Sequence, residues 1–86
     1  MTPDDPHLLD ARGILCPLPV LKLQKILKTL PPGAQVRVLA TDPMAKVDIP
    51  HFCHEAGHIV REAVDAPEGY ATFLIEKRGL IEKLGD

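Results

Sequence analysis

Two prolines flanking one leucine, directly behind a cysteine, constrain this chain more than any other stretch. Leu15-Cys16-Pro17-Leu18-Pro19 runs into Val20-Leu21-Lys22-Leu23-Gln24-Lys25-Ile26-Leu27-Lys28. Proline suits a helix's first turn, where its missing N–H has no intrahelical use and its ring presets a helical φ. The spacing predicts a helix from Pro17 to about Leu30, with Pro17 at its first position and Cys16 as the cap residue. A sulfur at that place faces the positive end of the helix dipole, which favours thiolate over thiol. Because both prolines lack an N–H, only the Leu18 and Val20 donors remain to meet a sulfur anion, so moderate acidification is expected. The pentapeptide alone leaves two readings open: a reactive sulfur on a rigid, sterically open perch, and a small apolar residue beside a proline-started helix.

Eighty-six residues make one domain, with 45% apolar and 26% charged residues as in ordinary globular proteins. A net charge of −2 gives no electrostatic footprint for nucleic acid, and one Tyr and two Phe leave little on which to stack bases. No apolar run approaches membrane-spanning length, and Met1-Thr2-Pro3-Asp4-Asp5 is unlike a secretory signal, so a cytoplasmic location and no membrane partner are expected. Cys16 and Cys53 fit neither a disulfide framework nor a C-x-x-C pair.

Residues 1–6 read as a flexible leader. His7-Leu8-Leu9-Asp10-Ala11 reads as a short strand, closed by Arg12-Gly13, where glycine permits a tight turn. In the helix, Val20, Leu23, Leu27 and Leu30 form the expected buried stripe, while Lys22, Lys25 and Lys28 recur on another face. That lysine row is a solvated face, or with Arg12 a docking surface for a partner. Pro31-Pro32-Gly33 ends the helix, and Gln35–Thr41 is a strand with Val36, Val38 and Ala40 on one side. Strand, helix and strand make a βαβ unit with parallel strands, which puts Cys16 at the carboxyl end of the first strand.

Asp42-Pro43 and Asp48-Ile49-Pro50 each read as a cap followed by proline. They predict a turn over 43–47 and a short helix from about Ile49 to Ala56, ended by Gly57. Ile49, Phe52, Cys53 and Ala56 form its apolar stripe, and Cys53 reads as a packing residue. Ile59–Asp65 and Tyr70–Lys77 read as strands joined by a loop at Pro67-Glu68-Gly69. The order β-α-β-α-β-β predicts an α+β fold: a two-layer sandwich with both helices on one face of a four-stranded mixed sheet. The domain is expected over 7–79, and the tail 80–86 is expected to form at most one turn through Leu80, Ile81 and Leu84.

His54-Glu55-Ala56-Gly57-His58 formally matches the zinc-protease motif H-E-x-x-H. That chemistry needs both histidines on one continuous helix, and Gly57 breaks it. Ordinary surface histidines and no metal are expected.

Leu9-Asp10-Ala11-Arg12-Gly13 followed by Cys16-Pro17-Leu18-Pro19, then Pro32-Gly33, Asp42-Pro43, Asp48-Ile49-Pro50 and Phe52-Cys53, resembles the TusA/SirA family of sulfur carriers, closest to its TusA branch. The resemblance spans about Leu8 to Gly79. It implies a sulfurtransferase acting as a persulfide relay, in which Cys16 takes a sulfane sulfur and passes it to an acceptor thiol. It implies a donor protein, either a cysteine desulfurase or a rhodanese, and an acceptor relay protein, in tRNA thiolation, cofactor biosynthesis or sulfur oxidation. No cofactor is implied, and a monomer is expected outside relay complexes. Gly13, Pro17 and Pro19 are motif positions that shape the perch, and Asp10 and Asp42 are assigned to structure. The competing reading is a non-catalytic interaction or regulatory module on the same fold. Nucleic-acid binding comes third, disfavoured by the acidic charge.

Overall fold

Six elements follow one another in a computed structural model that describes residues 6–78. They are β1 (His7–Ala11), α1 (Leu18–Thr29), β2 (Gln35–Ala40), α2 (Ala45–Ala56), β3 (Ile59–Asp65) and β4 (Ala71–Glu76). The leader, apart from Pro6, and the tail from Gly79 onward lie outside the described residues, including the expected turn through Leu80, Ile81 and Leu84.

The sheet order is β1-β2-β4-β3. β1 and β2 pair in parallel, with α1 as their crossover, whereas β4 is antiparallel to both β2 and β3. The sheet is therefore mixed, as the element order predicts. Period-2 alternation decides its inner face: Leu9, Val38 and Phe73 stand side by side across β1, β2 and β4, and Ala11, Ala40 and Ala71 form the next row. Pro19, Leu23 and Leu27 of α1 and Ala45, Ile49 and Cys53 of α2 close over that face. Each fully buried large side chain there contributes about 1.5–3 kcal/mol of hydrophobic stabilisation.

Both helices begin elsewhere than the sequence predicts. In α1, Pro17 is the cap residue and Leu18 the first helical one. The reason is local: the Leu18 N–H donates to the Leu15 carbonyl at 2.9 Å, closing a turn before the helix starts, and the first helical bond runs from Leu21 N–H to the Pro17 carbonyl. The Cys16–Pro17 peptide is cis. Pro19 joins the buried stripe, and Val20 and Leu30 pack at its edge. In α2, the expected turn over 43–47 is already helical from Ala45, and Pro50 lies inside the helix. Overlapping turns carry the chain inward, with Ala45 N–H on the Asp42 carbonyl and Asp48 N–H on the Met44 carbonyl. Burial of Ala45 at 2% exposure anchors that first turn. Pro50 costs one bond, the one its missing N–H would have given to the carbonyl of residue 46.

Gly57 ends α2 in the left-handed region at φ 83°, so the H-E-x-x-H histidines fall on different sides of a helix end. His58 is not at the surface, as the sequence suggests, but 8% exposed, with its Nδ1 accepting the Arg78 N–H. Lys77 is buried too; its Nζ donates to the Leu27 carbonyl at 2.5 Å, a cation set at the negative end of α1.

Candidate functional site

The two parallel strands end side by side, and the loops leaving their carboxyl ends meet at Cys16. After β1 the chain turns through Gly13, whose φ of 80° suits glycine and whose N–H donates to Thr41 Oγ1 at 2.8 Å. Thr41 and Asp42 leave β2. One carboxylate oxygen of Asp42 accepts the Cys16 N–H at 2.5 Å and the other accepts the Met44 N–H at 3.0 Å. A single side chain thus fastens the cysteine loop to the entry of α2. Asp42 is a brace between two loops rather than only a cap.

The sulfur itself has a partner that sequence reasoning missed. The Cys16 Sγ–H donates to Asp48 Oδ2, from the first turn of α2. The Cys16 thiol is consequently pushed up to about 11, first by that bond, then by desolvation and by the charges of Asp48 and Asp42. The expected moderate acidification is overturned. The Leu18 donor counted on to meet a sulfur anion is spent on the Leu15 carbonyl, and two carboxylates outweigh whatever the helix end contributes. Asp48 was legible only as a helix cap, because its role depends on α2 starting before it.

Arg12 does not reach out as a free cation. Its guanidinium grips Asp10 through two bonds of 2.8 and 2.7 Å and lies 5.2 Å from the Tyr70 ring centre. The guanidinium holds the Asp10 carboxyl down at about 2. Lys22, Lys25 and Lys28 are exposed along α1. Cys53 is fully buried in the core, and burial pushes its thiol up to about 12. Pro17, next to Cys16 in the chain, is exposed, and Pro19 is buried on the inner face of α1.

Cys16 itself is half-buried, and beyond the two carboxylates it is bordered by exposed apolar side chains. Leu15 and Leu18 flank it at 70% and 49% exposure. Met44 and Val47, neighbours of the two aspartates in the chain, are exposed as well. One hollow lies between α1 and α2 beside Leu27, Phe52 and His58, and another opens beside the brace at Asp42, Lys46 and Tyr70. Among the described residues no group of three or more His, Cys, Asp or Glu could hold a metal ion. Nor is any described helix long and apolar enough to cross a membrane.

A family model described as Sulfurtransferase TusA matches residues 7–77. The chain is 46% identical over 66 residues to the sulfur carrier protein TusA of Pseudomonas fluorescens (strain SBW25), covering 77% of this chain and 76% of that protein. It is 42% identical over 74 residues to the sulfur carrier protein TusA of Pseudomonas aeruginosa (strain LESB58), covering 86% and 90%. The crystal structure of a SirA-like protein from Desulfitobacterium hafniense superposes with a TM-score of 0.76 at 25% identity, over 84% of this chain and 97% of that one.

Proposed function

The chain belongs to the TusA family, and from that premise we propose that it is a sulfur carrier whose Cys16 accepts a sulfane sulfur as a persulfide and relays it to an acceptor thiol. The observation that carries the reading is the setting of Cys16: half-buried at the carboxyl ends of β1 and β2, braced through its own N–H, and bordered by exposed leucines. A relay needs a sulfur that another protein's cysteine can reach, on a backbone that does not yield. It needs no deep pocket and no metal. The Cys16 sulfur attacks the outer sulfur of a donor persulfide; the new Sγ–S bond forms as the donor's S–S bond breaks, and the donor cysteine leaves with the bonding electrons. A cysteine desulfurase or a rhodanese has the chemistry to be that donor. The acceptor is a relay protein of tRNA thiolation, cofactor biosynthesis or sulfur oxidation.

One observation favours a second reading, a binding module that uses the fold without the chemistry: the Cys16 Sγ–H is engaged as a donor to Asp48 Oδ2. Intact-protein mass spectrometry without reductant, after incubation with a cysteine desulfurase and cysteine, separates the two. The carrier gains one sulfur atom in the wild type and in Cys53→Ala, and none in Cys16→Ala. Loading that survives in Cys16→Ala, or loading lost only in Cys53→Ala, overturns the assignment.

A further inference from the structure

We infer that Asp48 is the lock on Cys16: its carboxylate holds the sulfur as a thiol in the free carrier, so that transfer waits until a docked partner parts the two. The inference rests on the carrier reading above and deepens it. Its basis is geometric. The Sγ–H of Cys16 ends on Asp48 Oδ2, and the bond joins the loop after β1 to the first turn of α2, two segments that share no covalent path shorter than the whole of α1 and β2. Moving either segment breaks it. Cys16 N–H is held by Asp42, which fixes the backbone from which the sulfur projects toward Asp48.

The charged groups around the sulfur all act in one sense. Asp48 faces it from α2 and Asp42 from the turn after β2, and both favour the neutral thiol. The cations on the neighbouring segments are engaged elsewhere: Arg12 with Asp10 and Tyr70, and Lys46 with Asp65 at 2.8 Å. α1 brings no acid in its first turn. A carboxylate is too weak a base to keep the proton of an alkyl thiol, so Asp48 stabilises the thiol instead of ionising it.

The consequence concerns selectivity. A thiol, unlike a thiolate, neither attacks stray disulfides nor oxidises readily. In the docked complex, separation of Asp48 from Sγ lets the proton leave to solvent. The thiolate then takes the donor's outer sulfur, and the departing donor thiolate is protonated in turn, so one thiol and one persulfide become one persulfide and one thiol.

The test uses iodoacetamide, without any sulfur donor, on the full chain. The alkylation rate of Cys16 is followed from pH 6.5 to 10 by intact mass and peptide mapping, in wild type and Asp48→Asn. Asparagine keeps the shape and an acceptor oxygen but removes the charge. The wild-type rate should climb through the whole range without levelling, and the Asp48→Asn rate should bend toward a plateau at lower pH, still above the ordinary cysteine value of 9.0 because desolvation and Asp42 remain. At pH 7.5 the variant then carries more thiolate, by at most roughly 100-fold were the whole shift due to Asp48, and its lower intrinsic nucleophilicity reduces this to a rate gain of a few-fold, with about 10-fold as the ceiling. A merely structural Asp48 would not speed the reaction at all. Buried Cys53 reports on folding in the same spectrum: if it reacts in the variant, the wild-type profile alone decides. A wild-type plateau below pH 8.5, or identical profiles, overturns the lock. Since no donor is present, this result is independent of the loading assay; loading can fail with the profile intact, and the reverse.

Discussion

Asp42 holds the backbone N–H of Cys16 at 2.5 Å, across 26 positions of chain. The same carboxylate holds Met44 N–H at 3.0 Å, so the loop that carries the sulfur and the turn that starts α2 share one anchor. Two donors on one carboxylate also hold the Asp42 carboxyl below its ordinary value, the Cys16 N–H contributing most.

Replacing Asp42 by Ala frees both amides. Amide exchange at Cys16 should rise on the order of 10-fold or more, the scale of one charge-assisted hydrogen bond. Asp42→Asn should fall between, because an amide offers one acceptor oxygen and turns an N–H₂ toward the second donor. Native-state hydrogen exchange read by NMR checks this. Equal protection of the Cys16 amide in wild type and Asp42→Ala would remove the brace.

Gly13 sits at φ 80° with nothing within 4 Å of where a Cβ would lie. Its requirement is conformational and not steric. Gly13→Ala should therefore cost about 1–2 kcal/mol, the penalty of an L-residue in the left-handed region. For a domain this small that lowers the melting temperature by roughly 4–8 °C per kcal/mol. Gly13→Asn should recover part of the loss, since asparagine tolerates that region. Calorimetry on the two variants decides it; an alanine variant that melts with the wild type would show that the turn relaxes freely.

Much of this architecture was legible because burial periodicity is a local signal. His7–Ala11 and Ile59–Asp65 were bounded from the sequence as the structure has them, and the mixed sheet follows from the order of elements. Proline misled at both helix starts. The sequence puts Pro17 at the first helical position and Pro50 in the first turn of a helix from about Ile49, yet Pro17 is a cap and Pro50 lies well inside α2. Proline marks where an N–H is dispensable, which is true at a first turn, before it, and wherever packing outweighs one lost bond. The site suffered most from this. Cys16 was found by its motif, but the bond to Asp48 spans 32 positions and needs Asp48 to face back from a helix already under way. No window of local sequence carries that.

Acid should destabilise the fold in a defined window. The Asp10 carboxyl is held at about 2 by Arg12; Asp42 is lowered by the Cys16 and Met44 amides, and Glu76 by Arg61 and Arg78. Their folded values lie below the ordinary 3.8 and 4.5, so on acidification the unfolded chain binds these protons first. Stability from these groups is complete above about pH 5 and falls as pH drops through the lowered values. The Asp10–Arg12 pair is nearly half exposed, so its share should shrink in high salt. Urea midpoints at pH 7, 4 and 2.5 should fall in that order, and Glu76→Gln should flatten the decline. A midpoint that holds from pH 7 to 2.5 would contradict the pairing.

Cys53 offers the opposite contrast to Cys16. It is fully buried, its thiol raised to about 12 by burial alone, and its carbonyl takes the His58 N–H at 2.8 Å where α2 ends. A sulfur packed among Leu23, Ile49 and Phe73 in one apolar cluster is a filler, and polarity there is penalised. Cys53→Ser places a hydroxyl in the core, at a cost of about 1–3 kcal/mol reduced by any bond it makes to the carbonyl one turn back. Cys53→Ala removes only the sulfur, so it should cost less than the larger truncations of 2–5 kcal/mol. Neither change should alter sulfur loading of Cys16. Thiol counting with a chromogenic disulfide should find one slowly reacting thiol in the folded wild type and two in denaturant. A second thiol that reacts in the folded protein at the rate of the first would place Cys53 within reach of partners and end its reading as core.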